Sequence, residues 1–333
     1  MGSCDGKERA GIVFMHIIKG VLALATLGTP QGILAQNYPV KPIRIVSGFP
    51  PGGGIDIMAR LLAPKMTETL GQQMIIESRP GAGTNIAMEY VVRSAPDGYT
   101  LLFNTPPVAI NMSLYKNLGF DTVRDLTAIS VFSASPNVLV VHPSVPARSV
   151  KELVALARAK PGALNFSSGS NGTTQHLSGE LFKLRTGTNM VHVPYRGSSP
   201  SLTALIGGEV EMTIVNIPSV LEYIKASRLR PLATSTAART VLLPQVPTLR
   251  ESGVDMIVVV SYSLHAPAAT PREIVNKLAD AVIKAARSAD TTQRLLDLGA
   301  EPVGYTPEEA ARFLREEVAL WAAVVKASGA RAD

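Results

Sequence analysis

A strand-like run, Ile43-Arg44-Ile45-Val46, passes through Phe49-Pro50-Pro51-Gly52-Gly53-Gly54-Ile55-Asp56 into a helical pattern with Met58, Leu61, Leu62 and Met66 on one face. A chain that turns from strand to helix through two prolines and three glycines leaves helix-start N–H groups unpaired. It carries no β-carbons to block a ligand's approach to them. The loop is therefore either a seat for a small anion or a tight turn whose glycines serve backbone geometry alone. It is not a nucleotide loop: Met58-Ala59-Arg60 stands where Lys-Ser would fall, and the spacing is not Gly-x-Gly-x-x-Gly.

The same grammar recurs downstream. Gln73-Met74-Ile75-Ile76-Glu77 reads as a strand, followed by Arg79-Pro80-Gly81-Ala82-Gly83-Thr84-Asn85 and a helix over 86–93. Residues 99–103 read as a strand ending in the loop Asn104-Thr105-Pro106-Pro107, and a longer strand is expected over 138–142. Strands alternating with helices predict a parallel α/β arrangement, in which ligands gather at the carboxyl ends of strands. That makes Asn85 and Thr105 candidate ligand contacts beside Phe49.

The break at Pro143-Ser144-Val145-Pro146 marks an expected crossing into a second domain. There, 164–168 reads as a strand and Gly169-Ser170-Asn171-Gly172-Thr173-Thr174 as a polar glycine loop capping the helix 175–185. This loop mirrors the first in kind, so the two are expected to face one another across a cleft. Asn216 closes a further strand over 211–215, and the apolar run 257–262 is expected to return the chain to the first domain. Ser149-Val150-Lys151-Glu152, Thr270-Pro271-Arg272-Glu273 and Thr306-Pro307-Glu308-Glu309 read as capping boxes, the last two opening helices of roughly eighteen and twenty residues.

The first 35 residues differ from the rest. Lys7 and Arg9 precede an apolar run over 11–27 that Lys19 interrupts, and Ile33-Leu34-Ala35 offers a small residue for cleavage. Residues 1–35 are expected to be an export signal, with translation starting at Met1 or Met15. Cys4 is the only cysteine and falls inside this segment. The mature chain then has no disulfide and no catalytic thiol, which suits an oxidising compartment.

Few functional groups point to catalysis. His142, His176, His192 and His265 lack metal-ligand spacing, and no Gly-x-Ser-x-Gly elbow occurs. His176 and Glu180, four apart on one helix face, read as a local contact. A net charge of +6 over 333 residues and 5% aromatics argue against nucleic acid, which wants a basic stripe and stacking rings. What the strand ends supply is glycine, serine, threonine and asparagine, groups that hold a ligand and leave it unchanged. Asp56 either complements the helix dipole or accepts a ligand's hydroxyl, ammonium or bound water.

Taken together, several stretches resemble one family. They are Tyr38-Pro39-Val40-Lys41-Pro42-Ile43, the loop from Phe49 to Arg60, Arg79-Pro80-Gly81-Ala82-Gly83-x-Asn85, and Ala95-Pro96-Asp97-Gly98-Tyr99-Thr100. Further along come Ser168-Gly169-x-x-Gly172-Thr173-x-x-His176-Leu177, Val193-Pro194-Tyr195-x-Gly197 and Val246-Pro247-Thr248-x-x-Glu251-x-Gly253. Over 38–329 the chain is similar to the tripartite tricarboxylate transporter substrate-binding family, also called Bug proteins. The order of the seven motifs carries the resemblance more than any one of them.

The resemblance implies a periplasmic, two-domain α/β binding protein of type II-like, Venus-flytrap form that closes on a small carboxylate. The break at Pro143 to Pro146 and the apolar return run at Ile257 put domain 1 over 38–137 plus 261–333 and domain 2 over 138–260. Carried onto this chain, the grip falls to Pro51, Gly52, Gly53 and Asp56 on one side and Ser168, Gly169, Gly172, Thr173 and Thr174 on the other. Asn171 lies between them and Asn216 is a side-chain donor. Ile55, Val215 and Ser261 depart from the family's usual threonine, aspartate and tryptophan, which bears on ligand identity. No cofactor, no metal and no nucleic acid are expected, and the chain is expected to be a monomer that delivers its ligand to membrane permease subunits. The alternative is the same module feeding a signalling partner. Gly53→Val is expected to abolish binding and Arg60→Gln to cost little.

Overall fold

The computed structural model describes residues 38–49, 51, 54–195 and 197–332; the expected leader, Gly52 and Gly53 lie outside them. The strands are β1 (Ile43–Ser47), β2 (Met74–Ser78), β3 (Thr100–Asn104), β4 (Leu126–Val141), β5 (Asn165–Ser168), β6 (Val191–Pro194), β7 (Met212–Asn216), β8 (Arg230–Thr234), β9 (Val259–Pro267) and β10 (Glu301–Pro302). The helices of the first half are α1 (Gly54–Leu70), α2 (Asn85–Val92), α3 (Pro107–Leu114), α4 (Thr122–Asp125), α5 (Val150–Ala159) and α6 (Thr174–Thr186). The second half adds α7 (Ser198–Ile206), α8 (Leu221–Lys225), α9 (Arg272–Arg287), α10 (Ala289–Asp297) and α11 (Pro307–Ser328).

All the strands join one sheet, in the order β2-β1-β3-β9-β4-β7-β5-β6, with β8 and β10 paired to β4 off that path. β1 runs parallel to both β2 and β3, and α1 and α2 make the crossovers, as the alternating pattern predicts. β5 is likewise parallel to β6 and β7.

β4 ties the two parallel sets together. From Leu126 to Pro136 it pairs antiparallel with β9, and from Asn137 to Val141 it pairs antiparallel with β7. The register locates the strand ends. Asn104, at the end of β3, pairs with Ser263, which in turn pairs with Val131. Asn216, at the end of β7, pairs with Asn137. Since β3 runs with β4 and β7 runs against it, both sets of carboxyl ends converge on the 131–137 stretch of β4.

The sequence reading begins this strand twelve residues too late, at Val138 instead of Leu126. Ser130, Ser133, Ser135 and Pro136 interrupt the apolar pattern that marks a buried strand, yet all three serines are fully buried. Ser130 solves its burial by donating to the Tyr305 carbonyl at 2.7 Å. Pro136 cannot donate to a ladder, and a strand register shifted at Ala128/Ser130 and Val131/Ser133 accommodates the irregular stretch.

Of the capping boxes, Thr306 forms in full: its hydroxyl accepts the Glu309 amide and Glu309 reaches back to the Thr306 amide. Thr270 does not cap its helix. Its hydroxyl donates to the Pro267 carbonyl at 2.7 Å, and α9 starts at Arg272. Ser149 accepts from the Glu152 amide, while Glu152 bonds the Arg148 amide, one residue earlier than the box requires. α11 packs on α3, on β4 and on α6. Its fully buried Trp321 belongs to a core that includes Val108 and Ala109 of α3 and Leu177 and Leu181 of α6. No helix among the described residues is long and apolar enough to cross a membrane.

Candidate functional site

Between the loops that follow β1, β2 and β3 and the loop that follows β5, a cavity of about 420 Å³ opens. One wall is Phe49 after β1, Gly83 and Thr84 before α2, and Pro107, Asn111, Leu114 and Tyr115 of α3 and its end. The opposite wall is Ser170, Asn171, Gly172 and Thr173, the loop that starts α6. Arg331 and Ala332 border it as well.

The first wall rests on a strained turn. Gly81, Ala82, Gly83 and Thr84 all take positive φ, of 132°, 45°, 61° and 80°. For alanine, and more so for β-branched threonine, that region is costly and persists only when neighbours enforce it. Asn111 is the enforcer: its Nδ2 donates to the Gly83 carbonyl at 2.8 Å and to Asn85 Oδ1 at 2.7 Å. Asn104 Nδ2 approaches Thr84 Oγ1 at 3.4 Å from below. Gly48 lets the neighbouring loop close against this turn, since a β-carbon there would lie 2.8 Å from the Thr84 Cα.

The second wall is held by aromatic nitrogen. Gly172, at φ 77°, donates its amide to Nδ1 of His176 at 3.0 Å. His176 stacks on His192, ring centroids 3.9 Å apart, and His192 stacks on Phe166. Ser168 donates to the Ser170 carbonyl at 2.9 Å and meets His192 Nε2 at 2.7 Å, so His192 is the donor of that pair. Burial, first, then the charge of neighbours pushes both imidazoles down, His176 to about 4 and His192 to about 3, which keeps them neutral and able to play these parts. Thr173 caps α6, accepting from the His176 amide and donating to Ser170. Gln175 Oε1 accepts from the Gly169 amide and from Ser198 Oγ.

The expected contacts therefore divide. Phe49, Asn171, Gly172 and Thr173 line the cavity. Asn85 stands one hydrogen bond behind it through Asn111, and Ser168 and Gly169 brace the second loop from below. Thr105 is buried, its amide on Asn104 Oδ1, and Thr174 is the first residue of α6. Asn216 accepts from Ser219 Oγ at 2.7 Å and precedes a short turn without a side-chain capping bond to its amides. Pro51 is an exposed turn residue, and Gly52 and Gly53 lie outside the described residues. Asp56 is buried and its Oδ2 takes Arg60 Nε at 2.9 Å; Arg60 lines a separate surface hollow with Thr67 and Gln73. Glu180 bonds Lys183 and His176 bonds Gly172, so the expected His176–Glu180 contact is replaced by two others.

Sequence reasoning missed Thr84, Asn111, Tyr115, Ser170 and Arg331. Pro106-Pro107 reads as a loop, yet a proline at the first helical position also opens helices, and Asn111 is one turn on from it. Among the described residues the lining is hydroxyls, amides, the Phe49 and Leu114 faces and one cation, with no carboxylate. Among the described residues no group of acidic, histidine or cysteine side chains could hold a metal ion. Such a lining supplies hydrogen-bond donors suited to an anion.

A sequence profile described as "Tripartite tricarboxylate transporter family receptor" matches residues 58–330. Protein BugT of Bordetella pertussis is 36% identical over 311 residues, 92% of this chain and 95% of that protein. Among solved structures, Rpa4515 of R. palustris, determined with adipate, superposes with a TM-score of 0.78 at 38% identity, covering 89% of this chain and 99% of that one. The periplasmic binding protein BugD gives a TM-score of 0.75 at 28% identity over 88% and 99%. Sequence and fold agree along almost the whole described chain, with proteins that bind solutes and are not enzymes, and the protein belongs to the tripartite tricarboxylate transporter receptor, or Bug, family.

Proposed function

We infer that the protein is a periplasmic receptor that captures a small organic carboxylate in the cavity between the Thr84 and Gly172 walls and delivers it to the membrane subunits of a tripartite-type transporter. One observation carries this reading: among the described residues, the cavity between the strand-end loops is lined by hydroxyls, amides and one cation and by no acid. The relative solved with adipate supports the choice of a carboxylate. Hydrogen bonds from neutral donors to a charged ligand contribute about 1.5–3 kcal/mol each, so a few suffice for a receptor's affinity.

In this reading the two strand sets are two lobes, 38–137 plus 261–333 and 138–260, meeting at β4, with residues 1–35 as the export leader. The mature chain works as a monomer. A thermal-shift screen of organic acids tests it. A bound acid at a hundred times its dissociation constant stabilises by about 2.7 kcal/mol. A screen in which mono-, di- and tricarboxylates all leave the melting temperature unmoved overturns the reading.

A further inference from the structure

The cation in the cavity comes from outside every motif. α11 ends at Ser328, and Gly329, at φ 67°, turns the chain out of the helix in the left-handed conformation that glycine takes most cheaply. Ala330 then donates its amide to Ser328 Oγ at 3.2 Å, and Ala332 donates its amide to the Leu114 carbonyl at 3.3 Å. That carbonyl belongs to the last turn of α3, one of the acceptors a helix end leaves unpaired. The segment is thereby fastened across the end of α3. Ala330 and Ala332 are half-buried against the core, and Arg331 between them is exposed on the cavity side.

Among the described residues Arg331 is the single charged one lining the cavity, and its guanidinium has neither an ion-pair nor a hydrogen-bond partner there. An arginine held at the border of a polar cavity, with no acid among the described lining residues, offers a fork of donors shaped for a carboxylate. It flanks the Leu114 and Tyr115 side, whereas the Ser170 and Thr173 hydroxyls stand on the α6 side.

We propose that Arg331 is a specificity-determining residue that takes one acidic group of the ligand at the α3 side of the cavity, so that the receptor selects molecules with two acidic groups, one for each wall. This rests on the cavity being the ligand site. The segment after α11 then reads the ligand's second charge, a task the glycine loops do not perform.

Calorimetry on the full chain tests it with straight-chain diacids, succinate through pimelate, each paired with the monoacid of equal length, butyrate through heptanoate. The wild type is expected to prefer at least one diacid over its paired monoacid by about tenfold or more, the range of a charge-assisted hydrogen bond. Arg331→Gln is expected to erase that preference by lowering the affinity for the diacid far more than that for the monoacid, with the melting temperature of the unliganded protein unchanged. Arg331→Lys is expected to restore part of it, since a point charge replaces a fork. If Arg331→Gln leaves the diacid-to-monoacid ratio unchanged, the assignment of Arg331 is wrong and the carboxylate receptor stands. If the wild type binds none of these acids, the receptor reading falls and the Arg331 proposal with it.

Discussion

The amide of Gly172 donates to Nδ1 of His176 at 3.0 Å, so the tight turn in the cavity's polar wall is held in shape by a neutral imidazole. Backbone strain and side-chain ionisation are coupled at that one bond, because a proton on Nδ1 would remove the acceptor.

The coupling sets an acid limit on stability. Unfolded histidines titrate near 6.5, whereas the folded His176 and His192 hold out to about 4 and about 3. Above pH 6.5 neither state binds a proton and the pair contributes nothing to pH dependence. Below 6.5 the unfolded chain takes up protons that the fold refuses, so stability declines as pH falls and levels off near pH 3. Melting temperatures measured from pH 7 to pH 4 are expected to drop steadily, and the double variant His176→Gln, His192→Gln to show a visibly shallower slope over that window.

Glu317 acts in the opposite sense. It is half-buried beside Trp321, whose Nε1 donates to its Oε2 at 2.9 Å, and loss of solvent around the carboxyl, aided by the nearby Glu316 charge, pushes it up to about 7. The fold keeps the proton where the unfolded chain has lost it, so this contribution is complete below pH 4.5 and is lost as pH rises through 7. Glu317→Gln keeps an acceptor for Trp321 without the charge. Urea titrations are expected to find the variant more stable than wild type by about 1–3 kcal/mol at pH 8.5 and equal to it at pH 4.5.

Asn111→Ala should loosen the cavity's other wall. Both Nδ2 hydrogens are committed, to Gly83 and to Asn85, and the residue is 2% exposed. Two lost hydrogen bonds at a buried, strained turn are expected to lower stability by about 2–3 kcal/mol in denaturant titrations. Hydrogen exchange at residues 82–85 is expected to rise more than in the sheet. Unchanged exchange there would mean that the turn holds itself.

Gly48→Ala probes close packing instead of hydrogen bonding. Its β-carbon would meet the backbone of Thr84, which cannot swing away as a side-chain tip can. The expected cost is about 1–3 kcal/mol, measured by chemical denaturation, although the backbone at Gly48 is not in the left-handed region.

Residue by residue, what the sequence disclosed follows from how local the signal is. The loops after β1 and β5 and the cap at Thr306 each announce themselves within a few residues, and the structure has them at strand ends and helix starts as expected. The first half of β4 was hidden because Ser130, Ser133 and Ser135 are fully buried in the sheet, where a reader of hydropathy expects surface. Asn111 and Arg331 were hidden for a different reason. They reach the cavity through partners 28 residues away at Gly83, and through Leu114 more than two hundred positions earlier, and no local pattern records such a meeting.

β9 lies between β3 and β4, and its residues, 259–267, are made long after both neighbours. Until it arrives, β3 and the first half of β4 present open edges to one another with no ladder between them, edges that invite the wrong partner. The loop that must close to seat β9 against Leu126 spans more than a hundred residues, so the step is late and slow. The middle of the sheet is therefore its youngest part. A chain of this topology is most vulnerable to aggregation after most of it has been synthesised, and a chaperone that shields β3 and β4 until residue 267 has emerged would be protecting the central seam of the sheet.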